Sequence, residues 1–332
     1  MNLGSLCRNH RWELILVGLT FVAGAWASVL SPFYLSLDQI LYSLQQALAV
    51  AGLLAAGLMT VVLVGEIDIS VPATLAMGTI LLARLSEMSV PLWIALPLVI
   101  GLGVVAGLIN GLLVVGFGLP SLAVTLGTMA AYRALALLIG GPEGHANFDD
   151  SYLALGSALI AGVLPVSLVL LLIIFAGFVW LMHQTVFGRL VYMVGSNQVA
   201  MRYAGIRVAR VKIATFAIAG ALAGLGAAVY VGQFGSARAD NASEMLLFVV
   251  AAVVLGGIDI FGGRGQVVGV LFALLLLGTL KNGMGLANFP GPVQTLIIGA
   301  LLVASVAVPR LARLRFRLPS ADRGPSPGAS TG

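Results

Sequence analysis

The sequence predicts an all-α polytopic membrane protein with about ten transmembrane helices and with both termini in the cytoplasm. Hydrophobic residues make up 60% of the 332-residue chain and charged residues only 9%, whereas soluble domains carry roughly 25% charged residues. Apolar runs such as 14–30 and 159–182 are long and unbroken. They favour spanning helices of about 20 residues over the alternating strands of a barrel. The positions of Lys and Arg predict which side of the membrane the termini face.

Ten apolar segments are candidates for crossing the bilayer. They lie at residues 14–30, 42–64, 71–86, 92–116, 121–139, 159–182, 212–232, 246–260, 266–280 and 293–309. The third and the eighth are short and interrupted by Gly or Pro, so the chain near Ser70 or Gly262 either crosses the membrane or re-enters it from one side. The first segment ends in small residues as a signal peptide does, but the many later spans predict an uncleaved first helix.

The fourth and fifth segments carry features beyond apolar composition. Gly101, Gly103, Gly107 and Gly111 recur about once per turn in the fourth segment, which predicts close packing against another helix. Arg133 in the fifth segment is the one basic residue well inside a span. The sixth segment is apolar throughout, and a long polar loop separates it from the seventh.

The remaining segments complete the domain organisation. The end of the second, 61–69, resembles the end of the eighth, 253–260, and either an internal repeat or chance explains the match. The tenth segment is followed by a tail at 310–332, which is rich in Pro, Gly and Ser from Leu318 and is predicted to be cytoplasmic and disordered. A cytoplasmic N-terminus at 1–13 precedes a transmembrane domain at 14–309.

Lys and Arg fall almost entirely on one side of such a chain. If both termini are inside, 13 of the 17 lie in inner segments, three lie in outer segments and Arg133 lies within a span. Cytoplasmic loops carry an excess of Lys and Arg, so this side is predicted to be cytoplasmic. The inner loop 183–211 holds four arginines and no acid, whereas the outer loop 140–158 holds three acids and no Lys or Arg.

Motifs for catalysis and nucleotide binding are absent from the sequence. Lys212 and Lys281 are the only lysines, and neither belongs to a Walker A sequence. The three histidines are isolated, Cys7 is the only cysteine, and no Gly-x-Ser-x-Gly elbow is present. The sequence therefore predicts a protein that is not an enzyme and that binds no metal or cofactor itself.

The inner loop is the most informative stretch of the chain. Asn197 suits the position that caps the start of a helix, and Gly205 suits the position just after its end. Together they predict a helix of about two turns, too short to span the membrane, that stands out on the cytoplasmic side. Alternatively, the loop lies on the membrane surface and its arginines pair with anionic lipid.

Four stretches carry a resemblance to a known family. The inner loop has Gly-Arg, then Gly-x-Asn-x-x-Ala, then Gly-Ile, and three further motifs occupy 65–71, 110–128 and 251–265. Together they resemble permeases of the ribose-type branch of ABC importers, from about residue 40 to 310. The resemblance implies that the loop couples to an ATPase through Gly188, Arg189, Gly195, Asn197, Ala200, Arg202, Gly205 and Ile206.

The chain also departs from that pattern. Glu66 stands where these permeases usually have Gly, and Pro72 replaces the Gly that follows Ser-Val. Family behaviour is therefore not carried over to these two positions. The stretches 234–241 and 278–284 look most similar to rhamnose-type permeases, and autoinducer-2 permeases share part of the first.

Four polar residues are candidates for the translocation path. Ionisable residues within a membrane are functional by default, which applies to Asp68 and Arg133, although an acid at an inner helix end can also reach headgroup water or pair with Arg264. Arg133 must face an acid, a water-filled path or the outer interface, because leaving it unpaired costs several kcal/mol. Asn110 and Thr125 either contact the solute or join helices by hydrogen bonds.

The resemblance implies a permease subunit in the bacterial plasma (inner) membrane that forms the path for a monosaccharide, such as a rhamnose- or ribose-like sugar, or for autoinducer-2. It also implies a cytoplasmic ABC ATPase that holds ATP and Mg²⁺, an extracytoplasmic sugar-binding protein, and a second permease subunit, identical or paralogous. Membrane lipid is a further partner and nucleic acid is not. The alternative function is an ion-coupled secondary transporter of a small polar solute, with Asp68 or Asp259 as its ion site.

Overall fold

The computed structural model describes residues 11–30 and 34–315, with side chains for 12–29 and 34–307. Most of this part is helical, apart from one short β-hairpin and the connecting segments. The predicted N-terminal segment is described only from residue 11, and the predicted tail only as far as 315. The predicted disorder of that tail therefore falls mainly outside the described residues.

Thirteen helices and two strands follow one another in the described part of the chain. The helices are α1 (Arg11–Leu30), α2 (Leu37–Leu63), α3 (Val71–Glu87), α4 (Leu92–Gly116), α5 (Ser121–Gly140), α6 (Asp150–Ser157), α7 (Val166–Gln184), α8 (Val186–Ser196), α9 (Gln198–Tyr203), α10 (Val208–Phe234), α11 (Met245–Leu255), α12 (Val267–Leu286) and α13 (Gly291–Arg315). Strands β1 (Leu159–Ile160) and β2 (Leu164–Pro165) pair antiparallel between α6 and α7.

Each of the ten predicted segments overlaps a helix, although the eighth, predicted to end at 260, ends with α11 at Leu255 because Gly256 and Gly257 form a turn there. Within the described residues, seven helices are long and apolar enough to cross a membrane: α1, α2, α4, α5, α7, α10 and α12. α3 has 17 residues and α11 has 11, whereas α13 has 25, of which side chains are described as far as Ala307. The chain is therefore a helical, polytopic membrane protein, and ten crossings remain a prediction.

The sixth predicted segment is wrong at its start. Helix α7 begins at Val166 rather than at 159, because residues 159–165 form the β-hairpin. Ala161 and Gly162 have φ of +53° and +72°, and positive φ at two successive residues is what a type I′ hairpin turn requires. The apolar composition of this stretch hides the turn.

Helix α2 forms the centre of the molecule. Every residue from Leu48 to Leu63 is buried, and α2 packs against α10, α12, α7 and α11. The first helix belongs to the same assembly, because α1 packs along α12. Large apolar side chains on the outer helices, such as Phe21, Leu138 and Trp180, are exposed instead, as expected of helices that face lipid.

Helices α4 and α10 approach each other through glycines. A Cβ atom at Gly103 would collide with the backbone of Gly220, and one at Gly107 would collide with the backbone of Phe216. Gly111 also packs against α10, less tightly, with the Cα of Ile213 3.0 Å from the position of its Cβ. The predicted packing role is confirmed for these three glycines of α4. For Gly101 it is wrong, because no atom lies within 4 Å of the position its Cβ would take.

The connecting segments gather at two ends of the helix assembly. At one end, the amide of Gly263 donates to the carbonyl of Leu63 at 2.8 Å. At the other, His145 and Ala237 exchange backbone hydrogen bonds of 2.9 and 2.8 Å. The first end collects segments predicted to be inner and the second collects segments predicted to be outer. The helices thus alternate in direction, and the assignment of the first end to the cytoplasm remains a prediction.

Candidate functional site

The chain leaves the helical conformation between α2 and α3, in what is termed here the connecting segment (residues 65–70). Gly65 has a φ of +80°. Its amide and the next one bond back to the carbonyls of Val62 and Val61 at 2.9 and 3.1 Å, which is the usual way a glycine ends a helix. Pro72 then lies in the first turn of α3, where no amide hydrogen is needed.

Asp68 is the buried acid of the connecting segment, with 2% of its surface exposed. Its Oδ1 accepts hydrogen bonds from the amide and the hydroxyl of Ser70 at 2.9 and 2.6 Å. The Ser70 hydroxyl in turn accepts from Nδ2 of Asn110 at 2.8 Å. The Tyr132 hydroxyl donates to the carbonyl of Ala106 at 2.9 Å and lies 3.4 Å from Oδ1 of Asn110. These bonds tie the segment to α4 and α5.

Thr125 and its neighbour Ser121 hold the backbone of the same segment. The Thr125 hydroxyl donates to the carbonyl of Ser121 at 2.8 Å and lies 3.3 Å from the carbonyl of Ile67. The Ser121 hydroxyl accepts the Ile67 amide at 3.1 Å. The structure therefore brings three predicted residues, Asp68, Asn110 and Thr125, together around one non-helical segment. Asn110 and Thr125 bond there to protein groups of other elements.

A cavity of about 550 Å³ adjoins the connecting segment. Its wall is almost wholly apolar, and among the described residues that line it Asp68 alone has an ionisable side chain. The lining residues come from α2, the connecting segment, α11, the segment after α11, and α13: Leu58, Val62, Ile67, Asp68, Ile69, Val250, Val253, Val254, Ile260, Leu302, Val303, Val306 and Ala307. This volume lies within the range of small-molecule sites.

Arg133 lies apart from this cavity. It is not among the lining residues, and its Nε is buried without a hydrogen-bond partner within the described part of the chain. The Arg238 guanidinium holds the pKa of Asp240 below its ordinary value, and the positive charge of Arg133 adds to this lowering. An acid in the outer segment after α10 therefore lies within electrostatic reach of Arg133.

The inner loop folds into two helices, α8 and α9, where the sequence predicted one. At the start of α9, Oδ1 of Asn197 accepts the amide of Ala200 at 2.9 Å. At its end, Gly205 has a φ of +78°, and the amides of Gly205 and Ile206 bond back into the last turn at 3.0 Å each. The predicted cap and terminal glycine are confirmed. No residue of α9 is buried, and Arg202 is among its exposed ones.

Helix α8 packs on the ends of two other helices. A Cβ atom at Gly188 would collide with the end of α7, and one at Gly195 would collide with the carbonyl of Leu63 at the end of α2. Arg189, between them, is exposed. The two glycines thus permit close approach of α8, which links the exposed helix α9 to the end of α2 that leads into the connecting segment.

The spacing of small and apolar residues in the inner loop is a sequence signal for α8. The buried positions Gly188, Val191 and Val194 recur every three residues, which is the period of an amphipathic helix lying on a surface. The hydroxyl of Thr185 accepts the amide of Gly188 at 3.2 Å and caps the start of this helix.

An ion pair between buried Lys212 and half-buried Glu66, which the sequence did not predict, also lies at this end. Lys212 Nζ donates to the Glu66 carboxylate and to Oε1 of Gln198 at 2.8 Å. The available signal was an acid and a base at the inner ends of two spans that carry few other charges. Glu66 departs from the family pattern, so the resemblance assigns it no role.

The segment after α11 has the same local backbone as the connecting segment. Gly257 has a φ of +88°, and its amide and the next one bond back as those at Gly65 do. Oδ1 of Asp259 accepts the amide of Phe261 at 3.0 Å, as Asp68 accepts the amide two residues on. Asp259, however, is only half-buried. The similarity of the two sequences thus has a structural counterpart, which favours an internal repeat over chance.

Known proteins resemble this chain over most of its length. Residues 40–306 match the family described as branched-chain amino acid transport system / permease component. The chain is 35% identical to the autoinducer 2 import system permease protein LsrD of Enterobacter sp. (strain 638), over 89% of this chain and 91% of the relative. The protein of that name from Photorhabdus temperata is 32% identical, over 92% of each chain. No solved structure matches the chain.

Proposed function

The chain belongs to the family of branched-chain amino acid transport permease components, and from this premise we propose that its cavity and connecting segment form the path for a monosaccharide-like solute. The protein is the permease subunit of a sugar-type ABC importer, a transporter rather than an enzyme. The solute we propose is autoinducer-2 or a neutral, hydroxyl-rich molecule of similar size, because the relatives are named for autoinducer-2 import. Those names give rhamnose no support.

One observation carries the proposal: a non-helical segment with a buried acid borders a cavity large enough for a small solute. Irregular backbone in a membrane protein is tolerated only where protein buries it or where it lines a cavity. Transporters place such breaks at their substrate sites. Asp68 and the connecting segment lie at a wall that exposes almost no polar surface, so binding is weak enough to permit release.

The coupling step begins at α9. We propose that the cytoplasmic ATPase, which holds ATP and Mg²⁺, docks on the exposed face of α9. Because α8 lies against the end of α2 at Leu63, closure of the ATPase shifts the inner ends of the helices around the cavity. Access to the cavity then alternates between the two sides of the membrane.

The other partners follow from the same class of importer. An extracytoplasmic binding protein delivers the solute, and we place its docking site at the acidic outer loop 140–158. A second permease subunit, identical or paralogous, completes the path. The assembly lies in the bacterial inner membrane, where lipid covers the exposed apolar faces of the outer helices.

The test is the energy source of uptake. The full chain is assembled with its ATPase and binding protein in proteoliposomes, and entry of isotope-labelled autoinducer-2 is measured. We expect uptake that requires the ATPase and ATP and that persists when ionophores collapse the ion gradients. Uptake by the chain without the ATPase, driven by a proton or sodium gradient, would support the ion-coupled alternative and overturn the proposal.

A further inference from the structure

Lys212 lies near the start of α10 with 7% of its surface exposed, yet it contacts two other elements. Its Nζ donates to the carboxylate of Glu66 in the connecting segment and to Oε1 of Gln198, the first residue of α9, at 2.8 Å. Gln198 also directs Nε2 to the carbonyl of Val64 at 3.5 Å. One lysine therefore joins α10, the exposed helix α9 and the segment that borders the cavity.

The ion pair can transmit a displacement of Lys212 to the connecting segment through Glu66. A buried charge needs its partner, so Lys212 and Glu66 stay together when either one is displaced. Glu66 lies two residues before Asp68 in the cavity wall, so a shift of Glu66 reaches that wall through one short stretch of backbone. The described elements also leave room for such a shift, because a second cavity of about 670 Å³ is lined by both partners.

We propose that Gln198, Lys212 and Glu66 are positioning residues that transmit the movement of α9 to the connecting segment. The inference rests on the proposed ATPase-driven function and names the side chains through which the coupling passes. Glu66 stands where the permeases that the chain resembles usually have glycine.

The test measures solute uptake and ATP hydrolysis together in the assembled transporter, with isotope-labelled autoinducer-2 as the probe. Q198A removes the contact to α9 and leaves the ion pair intact, so folding is not at risk. E66Q and K212M each break the pair. We expect each variant to lower the solute taken up per ATP hydrolysed by about fivefold or more, while the ATPase remains bound.

Two further variants separate coupling from stability. R210M removes an exposed positive charge two residues from Lys212 and should leave the uptake-to-hydrolysis ratio unchanged. The charge-swapped double variant, E66K with K212E, should recover part of the ratio, because the Gln198 amide can donate as well as accept.

Two outcomes overturn the inference. One is a wild-type ratio in Q198A. The other is loss of ATPase binding in E66Q and K212M without recovery in the swapped variant, which shows a structural role only. A wild-type complex that takes up solute without hydrolysing ATP instead refutes the proposed function, so the two failures are distinguishable.

Discussion

The carboxylate of Asp68 lies between the start of α3 and the cavity of about 550 Å³ beside the connecting segment. It accepts two hydrogen bonds from Ser70 and also forms part of the cavity wall. Asp259 accepts the corresponding amide bond at the end of the repeated segment, but it is half-buried and is not among the residues lining that cavity. Comparison of the two acids therefore distinguishes stabilisation of the local backbone, which both provide, from a position in the cavity wall, which only Asp68 has.

We predict that D68N lowers autoinducer-2 uptake by about tenfold, the effect of losing one charge-assisted hydrogen bond of about 1.5 kcal/mol. Asparagine keeps the size of the side chain and its acceptor oxygen, so the bonds to Ser70 can persist and the fold is retained. The measurement is initial uptake rate in proteoliposomes that contain equal amounts of assembled transporter.

The matched control for this prediction is D259N. It makes the same chemical change in the same local motif away from the lining, and uptake should stay near the wild-type rate. If D68N also transports at the wild-type rate, then Asp68 only stabilises the start of α3, and its assignment to the path is refuted.

Polar residues within membrane segments can be recognised from the sequence, but their hydrogen-bond partners cannot. Asp68, Asn110 and Thr125 stand out in the sequence because a buried polar group needs a partner, but the sequence does not say which partner. Asn110 reaches Ser70 across 40 residues of chain, and Glu66 and Lys212 meet across 146. Such pairs depend on how helices are arranged in three dimensions.

Helix α9 is only six residues long, so its ends determine its stability. An isolated helix of this length is unstable in water, and α9 depends on the Asn197 cap and on the left-handed conformation of Gly205. We predict that G205V destabilises this turn by about 1–2 kcal/mol, because a side chain with a Cβ is strained at positive φ. Uptake and uptake-linked ATP hydrolysis should both fall.

The control for this prediction is G205N, since asparagine tolerates the left-handed conformation. The space around Gly205 is open in either case, with no atom within 4 Å of a Cβ position, so any difference between the variants reflects the backbone. Equal activity of the two variants would contradict a role for the helix end in coupling.

The crossing of α4 and α10 provides a stability prediction within one helix. G103A places a methyl group against the backbone of Gly220, and such overpacking costs about 1–3 kcal/mol. G101A makes the same change at a position with open space, where alanine instead gains about 1 kcal/mol in helix propensity. Unfolding by increasing SDS in mixed micelles should therefore separate the variants in opposite directions from wild type. Identical shifts would show that the close crossing contributes nothing.

Hydropathy located the ten helices that overlap the predicted segments, because a helix that crosses lipid needs a long apolar sequence. It missed the hairpin before α7 and the surface helix α8. Apolar side chains occur in all three settings, so composition cannot distinguish a spanning helix from an apolar turn at its end. At the hairpin the informative residue was Gly162, whose positive φ allows the turn.

The two ends of the helix assembly carry different connecting segments. Among the described residues, the inner loop and the segments after α2 and α11 contact one another at one end. The acidic loop 140–158 lies at the other end, where His145 bonds to Ala237. Packing of the helices fixes their alternation but not which end faces the cytoplasm. That orientation depends on the positive-inside rule, and it determines whether α9 can meet an ATPase at all.

Cysteine labelling tests the orientation directly, because Cys7 is the only native cysteine and C7S removes it. In that background, Y203C places a thiol on the exposed surface of α9 and E143C places one on the exposed outer loop. With a maleimide that cannot cross membranes, we expect E143C to be labelled in intact spheroplasts and Y203C only after the membrane is permeabilised. The C7S parent controls for background, and immunoblotting checks equal expression. The reverse pattern would place α9 outside, away from any cytoplasmic ATPase, and would refute both the topology and the coupling role built on it.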